Sequence, residues 1–142
     1  MTNLLLIDDD AEIRDLYGSF LQSRFITQPI NHDSSDSVTV CEDGPQALEV
    51  LQETSDFDVI VCDYRMPVKN GGDVWNYVRK TNPNVPFILF TSEDFNELPE
   101  FDESFQDLGN VWLQKPASPE KLLQVITEVL NSSKKSTGGL IS

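Results

Sequence analysis

The sequence predicts an α/β fold, a doubly wound parallel sheet of five strands alternating with five helices. Three observations predict it. Five short apolar runs recur along the 142 residues, and stretches with helical spacing separate them. Most of the runs are continuous rather than alternating, as strands covered by helices on both faces require. Four of the five runs lead into a hydroxyl, carboxylate or amine, at the strand ends where reactive sites of such sheets lie.

The first run is Leu4-Leu5-Leu6-Ile7, which stops at Asp8-Asp9-Asp10. Asp10 is positioned to cap a helix. Ile13, Leu16, Tyr17, Phe20 and Leu21 then give that helix one apolar stripe. Val38 to Cys41 is the second run, followed by a helix with Pro45 near its first position and Ala47, Leu48 and Leu51 on its inner face. Val59 to Cys62 is the third, ending at Asp63, and Val74, Trp75 and Val78 mark the helix after it. The fourth, Phe87 to Phe90, ends at Thr91-Ser92. The fifth, Val111 to Leu113, ends near Lys115-Pro116. Ser118, Pro119 and Glu120 start the last helix, whose apolar face is Leu122, Leu123, Ile126, Val129 and Leu130.

The fourth helix carries the weakest signal. From Glu93 to Asn110 there are seven acidic residues and no basic one. Leu98, Phe101, Phe105 and Leu108 keep helical spacing, but Pro99 suits only a first turn. The reading is an acidic loop and then a shortened, irregular helix from about Pro99. Two further segments read as unpacked: a long polar loop from Thr27 to Ser37, and a polar tail or linker from 131 to 142. The domain proper is then 1–130.

Composition narrows the function. With 39% hydrophobic residues the chain suits one domain with one core. Its 24 acidic and 10 basic residues give a formal charge of −14, which repels nucleic acid and anionic lipid and favours divalent cations and basic partners. No stretch is apolar enough to span a membrane, and the N-terminus lacks a basic region and cleavage site, so the expected location is the cytoplasm. Cys41 and Cys62 lie inside apolar runs and read as buried, reduced thiols.

If the strands are parallel, Asp8, Asp9, Asp63, Thr91 and Lys115 gather at one edge. Each alone could be a turn residue, a cap or a solvated side chain. Together they make a chemistry. Three carboxylates in one cleft resist joint ionisation unless a cation offsets them. Mg²⁺, or Mn²⁺, takes one or two carboxylates with waters and phosphate oxygens. Lys115 adds a positive donor, and Thr91 a hydroxyl, for the equatorial oxygens of a phosphoryl group that Asp63 would accept as nucleophile.

These residues carry a resemblance. Leu-Leu-Leu-Ile-Asp8-Asp9-Asp10, Val59-Ile-Val-Cys-Asp63-Tyr-Arg-Met66-Pro67 with Gly71-Gly72, Phe-Ile-Leu-Phe-Thr91-Ser92 and Gln114-Lys115-Pro116 are similar, in that order, to the motifs of response-regulator receiver domains of two-component signalling. The likeness spans about residues 4 to 130. It implies a flavodoxin-like (βα)5 three-layer sandwich with strand order 2-1-3-4-5. It implies that Asp8 and Asp9 bind Mg²⁺, that Asp63 is the phosphoacceptor, and that the backbone carbonyl of Arg65 is the third protein ligand. Thr91 would turn toward the phosphoryl group, Trp112 would follow it as the aromatic half of a switch, and the Lys115–Pro116 bond would be cis. A histidine kinase or phosphotransfer protein would be the donor. The chain would then be a signalling switch rather than an enzyme with an external substrate.

Departures from the pattern shape the remaining expectations. The long loop holds His32, read as a solvated residue. Arg65, Met66 and Glu93 stand at the rim of the site, where opposite charges on Arg65 and Glu93 could pair and slow hydrolysis of the acyl phosphate. The acidic, Phe-rich segment 93–110 replaces the family's output face, which suggests a downstream partner with basic residues and an apolar groove. Two other readings compete. One is a pseudo-receiver, an interaction module working without phosphorylation. The other is a phosphatase of the haloacid-dehalogenase type, which needs an acid two residues after its nucleophile, where this chain has Arg65.

Overall fold

In a computed structural model, residues 2–27 and 36–139 are described. Ten elements alternate without a break: β1 (Asn3–Ile7), α1 (Ala11–Thr27), β2 (Ser37–Cys41), α2 (Gly44–Glu53), β3 (Val59–Cys62), α3 (Gly71–Thr81), β4 (Phe87–Thr91), α4 (Glu103–Asp107), β5 (Val111–Gln114) and α5 (Pro119–Gly139). The five strands form one parallel sheet in the order β2-β1-β3-β4-β5. This is the flavodoxin-like doubly wound arrangement.

The continuous apolar runs are explained by two cores, one on each face of the sheet. Leu5, Ile7, Cys41, Ile60, Cys62, Phe87 and Leu89 point to the side covered by α2, α3 and α4. Leu4, Leu6, Val59, Val61, Ile88 and Phe90 point to the side covered by α1 and α5. Side chains alternate along a strand, so a strand buried on both faces must be apolar at every position. Both cysteines are free and buried. Burial and Asp43 push the Cys41 thiol up to about 11, and burial with Asp63 and Asp8 pushes Cys62 well above its ordinary value, so both are inert.

The caps explain where helices start. Asp43 accepts from the Gln46 amide at 2.8 Å and Pro45 fills the first turn of α2. Asn70 and Asp73 form a reciprocal capping box on α3, at 3.0 and 2.9 Å. Such a cap is worth about 1 kcal/mol. Asp10 accepts from the Glu12 amide on α1, and Ser118 from the Lys121 amide on α5. α5 continues to Gly139, so residues 131–139, read from their polarity as tail or linker, extend that helix.

The fourth helix does not begin at Pro99. A 3₁₀ turn, Phe95–Glu97, is capped by Asp94, and α4 begins at Glu103 with Asp102 as its cap. Two Asx caps so close together stop either turn from growing through Pro99. The regular spacing of Leu98, Phe101 and Phe105 reflects side chains folding back on the core, not a continuous helix. Phe105 is fully buried and contacts Trp75, Phe101, Phe95 and Phe87, with ring centroids 4.9, 5.0, 5.6 and 6.0 Å away. The expectation of a Phe-rich docking surface is therefore corrected: these rings are core, and only Leu108, 66% exposed, is apolar and open there. Most of the long polar loop, with His32, lies outside the described residues.

Candidate functional site

Parallel pairing places every strand end of interest at one edge. Asp8 follows β1 and Asp63 follows β3, and the ladder runs on into both: the Asp8 amide donates to the Cys41 carbonyl at 3.2 Å and the Asp63 amide to the Ile7 carbonyl at 2.9 Å. Thr91 closes β4. Lys115 follows β5, and its amide donates to the Thr91 carbonyl at 2.9 Å. Carboxylate oxygens of Asp8, Asp9 and Asp63 lie within 4.8 Å of one another. Asp8 is 1% exposed and Asp63 is buried, whereas Asp9 is open to solvent. The Lys115 ammonium sits between two of them, 2.7 Å from Asp8 Oδ2 and 3.5 Å from Asp63 Oδ2. The Lys115–Pro116 peptide is cis.

The electrostatics are unbalanced. Burial and the neighbouring Asp8 raise the Asp63 carboxyl above its ordinary range, against Lys115 and hydrogen bonds from the Thr91 hydroxyl and the Tyr64 amide. For Lys115, burial favours the neutral amine, but the Asp8 hydrogen bond and both carboxylates outweigh it and hold the ammonium charged. Three carboxylates and one ammonium leave two formal negative charges, which suits a divalent cation. The donor set fits Mg²⁺. Ligands at about 2.1 Å on an octahedron stand roughly 3 to 4.2 Å apart, so the three oxygens close on an ion with small rotations.

Other predicted residues occupy different places. The Arg65 guanidinium is exposed and pairs with Glu93, Nε to Oε1 2.6 Å, across the mouth of the site. Met66, read as a rim residue, belongs mainly to the core beneath the loop, though it also lines a depression there with Arg65, Glu93 and Glu97. Trp112 pairs in register with Leu89, on the sheet face that Thr91 also uses, and stacks on Phe95 at 5.8 Å.

Several contributors went unseen in the sequence. Arg14 Nη1 donates to the Asp8 carbonyl at 3.0 Å, fixing the acidic turn from α1. The Tyr64 hydroxyl donates to Glu100 at 2.8 Å, and the Asn70 amide reaches both at 3.3 and 3.4 Å. Burial, and then that carboxylate, push the Tyr64 phenol up to about 12. Gly72 makes the contact possible, because a Cβ there would overlap the Glu100 side chain. Gly71 is needed for a similar reason: a Cβ would stand 2.8 Å from the Tyr64 Cα, within the loop that carries Asp63. Val68 completes this loop with φ +69°, in a tight turn closed by the Lys69 amide on the Pro67 carbonyl at 2.8 Å. The paired glycines were the one local signal of this packing.

A family model described as the response regulator receiver domain matches residues 4–127. The response regulator SaeR of Staphylococcus aureus is 28% identical over 137 residues, 95% of this chain and 53% of that protein. The chain thus spans about half the length of the curated relatives it matches. Among solved structures, a CheY-like receiver domain protein of Methanospirillum hungatei JF-1 superimposes with a TM-score of 0.76 at 22% identity, covering 96% of this chain and 98% of that one. Chemotaxis protein CheY4 of Vibrio cholerae is 30% identical with a TM-score of 0.70, covering 91% and 98%. TrrA of Thermotoga maritima, solved in complex with Mg²⁺-BeF, has a TM-score of 0.70 at 20% identity, covering 91% and 99%. With four ordered motifs, the fold and the acidic site in agreement, the chain belongs to the response regulator receiver domain family.

Proposed function

We propose that the chain is a phosphorylation-controlled switch whose Asp63 accepts a phosphoryl group from a histidine kinase or histidine phosphotransfer protein. One observation carries the reading: the Lys115 ammonium lies between Asp8 and Asp63, and the Thr91 hydroxyl hydrogen-bonds Asp63. A carboxylate oxygen of Asp63 attacks phosphorus, the phosphorus–nitrogen bond of the donor phosphohistidine breaks, and the imidazole leaves with the electron pair. Lys115 and Thr91 would meet the equatorial oxygens. Asp8, Asp9 and Asp63, with the Arg65 carbonyl, would hold Mg²⁺ or Mn²⁺, which supplies charge neutralisation at those oxygens. The phosphorylated side chain adds roughly −1.5 to −2 charge. Thr91 and Trp112 would pass that change to β5 and the segment 93–110, where a downstream protein would read it. Among the described residues no helix is long and apolar enough to cross a membrane. A cytoplasmic setting follows from the proposed donors.

The test is incubation with acetyl phosphate and Mg²⁺ followed by intact mass. A gain of one phosphoryl group, lost in Asp63→Asn and on adding EDTA, is the expected result. An unmodified parent would instead favour a phosphorylation-independent interaction module.

A further inference from the structure

α1 touches the site at two points that no strand-end motif announces. Arg14 and Tyr17, three residues apart, stand on one face of the helix. Arg14 holds the Asp8 carbonyl. Tyr17 holds the far side: its hydroxyl donates to the Ala117 carbonyl at 2.5 Å, two residues past Lys115 and across a separation of 100 residues. The tyrosine is 8% exposed, and the bond itself is partly buried. Its ring also packs against Phe90, centroids 5.5 Å apart, and the Lys115 ammonium lies over the other neighbour of that contact, 5.1 Å from the Phe90 centroid. Tyr17 thus reaches Lys115 by two routes, through the backbone of the turn and through the ring beneath the ammonium. Helical spacing alone assigns Tyr17 to the apolar stripe, and a leucine would fill that role. The hydroxyl needs a separate reason.

We propose that Tyr17 is a positioning residue for phosphoryl transfer, holding the Lys115–Ala117 turn so that the Lys115 ammonium stays between Asp8 and Asp63. This rests on the reading of Asp63 as phosphoacceptor. Besides Lys115, each aspartate has a hold of its own: Asp8 Oδ1 accepts from the Asp10 amide and the Asp8 backbone carbonyl from Arg14, while Asp63 Oδ1 accepts from the Tyr64 amide. Tyr17 therefore acts on the site only through Lys115; that ammonium also meets Asp8 Oδ2 at 2.7 Å, but the amide bonds to Asp8 and Asp63 keep the cation side in place without Tyr17. That separation is what a general packing role would not produce.

Tyr17→Phe keeps the ring and deletes only the hydroxyl. Two quantities are measured on the full chain: Mg²⁺ affinity by titration calorimetry, and the phosphorylation rate with acetyl phosphate at saturating Mg²⁺ by intact mass. Mg²⁺ affinity is expected within about twofold of the parent, while the rate constant falls about five- to tenfold, the worth of one buried hydrogen bond. Tyr17→Leu, which also removes the ring packed against Phe90 beneath Lys115, is expected to lower the rate further at the same Mg²⁺ affinity. An unchanged rate in Tyr17→Phe overturns the proposal. So does a fall in Mg²⁺ affinity equal to the fall in rate, which marks general damage to the site. A parent protein that takes up no phosphoryl group strikes the reading of Asp63 itself, and this is seen before any Tyr17 variant is compared.

Discussion

Replacing Phe105 with alanine tests whether the segment after β4 is core or surface. The ring has 0% exposure and four aromatic neighbours with centroids from 4.9 to 6.0 Å. Removing a buried phenylalanine costs about 3–5 kcal/mol, transfer and cavity together. Edge-to-face pairs add roughly 0.5–1.5 kcal/mol each beyond area, though four pairs around one ring do not sum. Against this, α4 has only five residues and can settle into part of the void. The lower half of the range is therefore expected, about 3 kcal/mol. For a chain of 142 residues that lowers Tm by roughly 10 °C. Urea unfolding followed by circular dichroism gives the value, with an unchanged m as the sign that the folded state is intact. Leu108→Ser is the control, and a change within about 0.5 kcal/mol is expected at that exposed site. A loss below about 1 kcal/mol for Phe105→Ala, or an equal loss for both variants, would refute the reasoning and return the segment to a loosely docked surface.

Three further outcomes follow from the site. Because burial and Asp8 raise the Asp63 carboxyl above its ordinary 3.8, the folded chain binds that proton more tightly than the unfolded chain. Stability of the metal-free protein therefore falls as pH climbs from 3.8 through the raised value. Asp63→Asn should melt above the parent in EDTA at neutral pH, and the two should converge in acid; thermal scans in which the parent is the more stable at neutral pH contradict this. Arg65→Asn removes the 2.6 Å pair with Glu93 at the mouth. The lifetime of phosphorylated Asp63, read by intact mass after removal of the donor, should shorten by about two- to threefold; an unchanged lifetime ends the idea that the pair shields the acyl phosphate. Val68 is 86% exposed and holds φ +69°, a region costly for a β-branched residue. Val68→Gly, which removes the Cβ at this positive φ, should gain about 1 kcal/mol in urea unfolding, and a loss would show that the turn is not strained.

Much of the fold was legible because its signals are local. A strand covered on both faces must be apolar throughout, so β1, β3 and β4 stood out as runs, and their ends marked Asp8, Asp63 and Thr91 without any knowledge of pairing. Caps were legible for the same reason at Asp10, Pro45 and Ser118. The start of α4 was not, because Leu98, Phe101 and Phe105 satisfy a helical period while serving a core that the chain reaches by turning. Tyr17, Arg14 and Glu100 were missed for another reason. Their partners are carbonyls and hydroxyls brought near by the tertiary fold, and a hydrogen bond between residues 17 and 117 leaves no spacing in the sequence. Met66 shows the limit of adjacency: next to Arg65 in sequence, it lines the same depression but is buried in the core beneath it.

The aromatic cluster also gives the molecule two native optical probes. Trp75 and Trp112 are its only tryptophans, and they touch different phenylalanines of one connected cluster. Trp75 lies on the helix that follows the Asp63 loop, in contact with Phe87, Phe101 and Phe105. Trp112 lies on the strand that leads to Lys115, stacked on Phe95. Replacing either one by phenylalanine leaves a single emitter. Its wavelength and quenching then report one end of the cluster, without a dye or label. Motion confined to the end near β5 would shift the emission of Trp112 and leave Trp75 silent, whereas loosening of the whole segment would shift both.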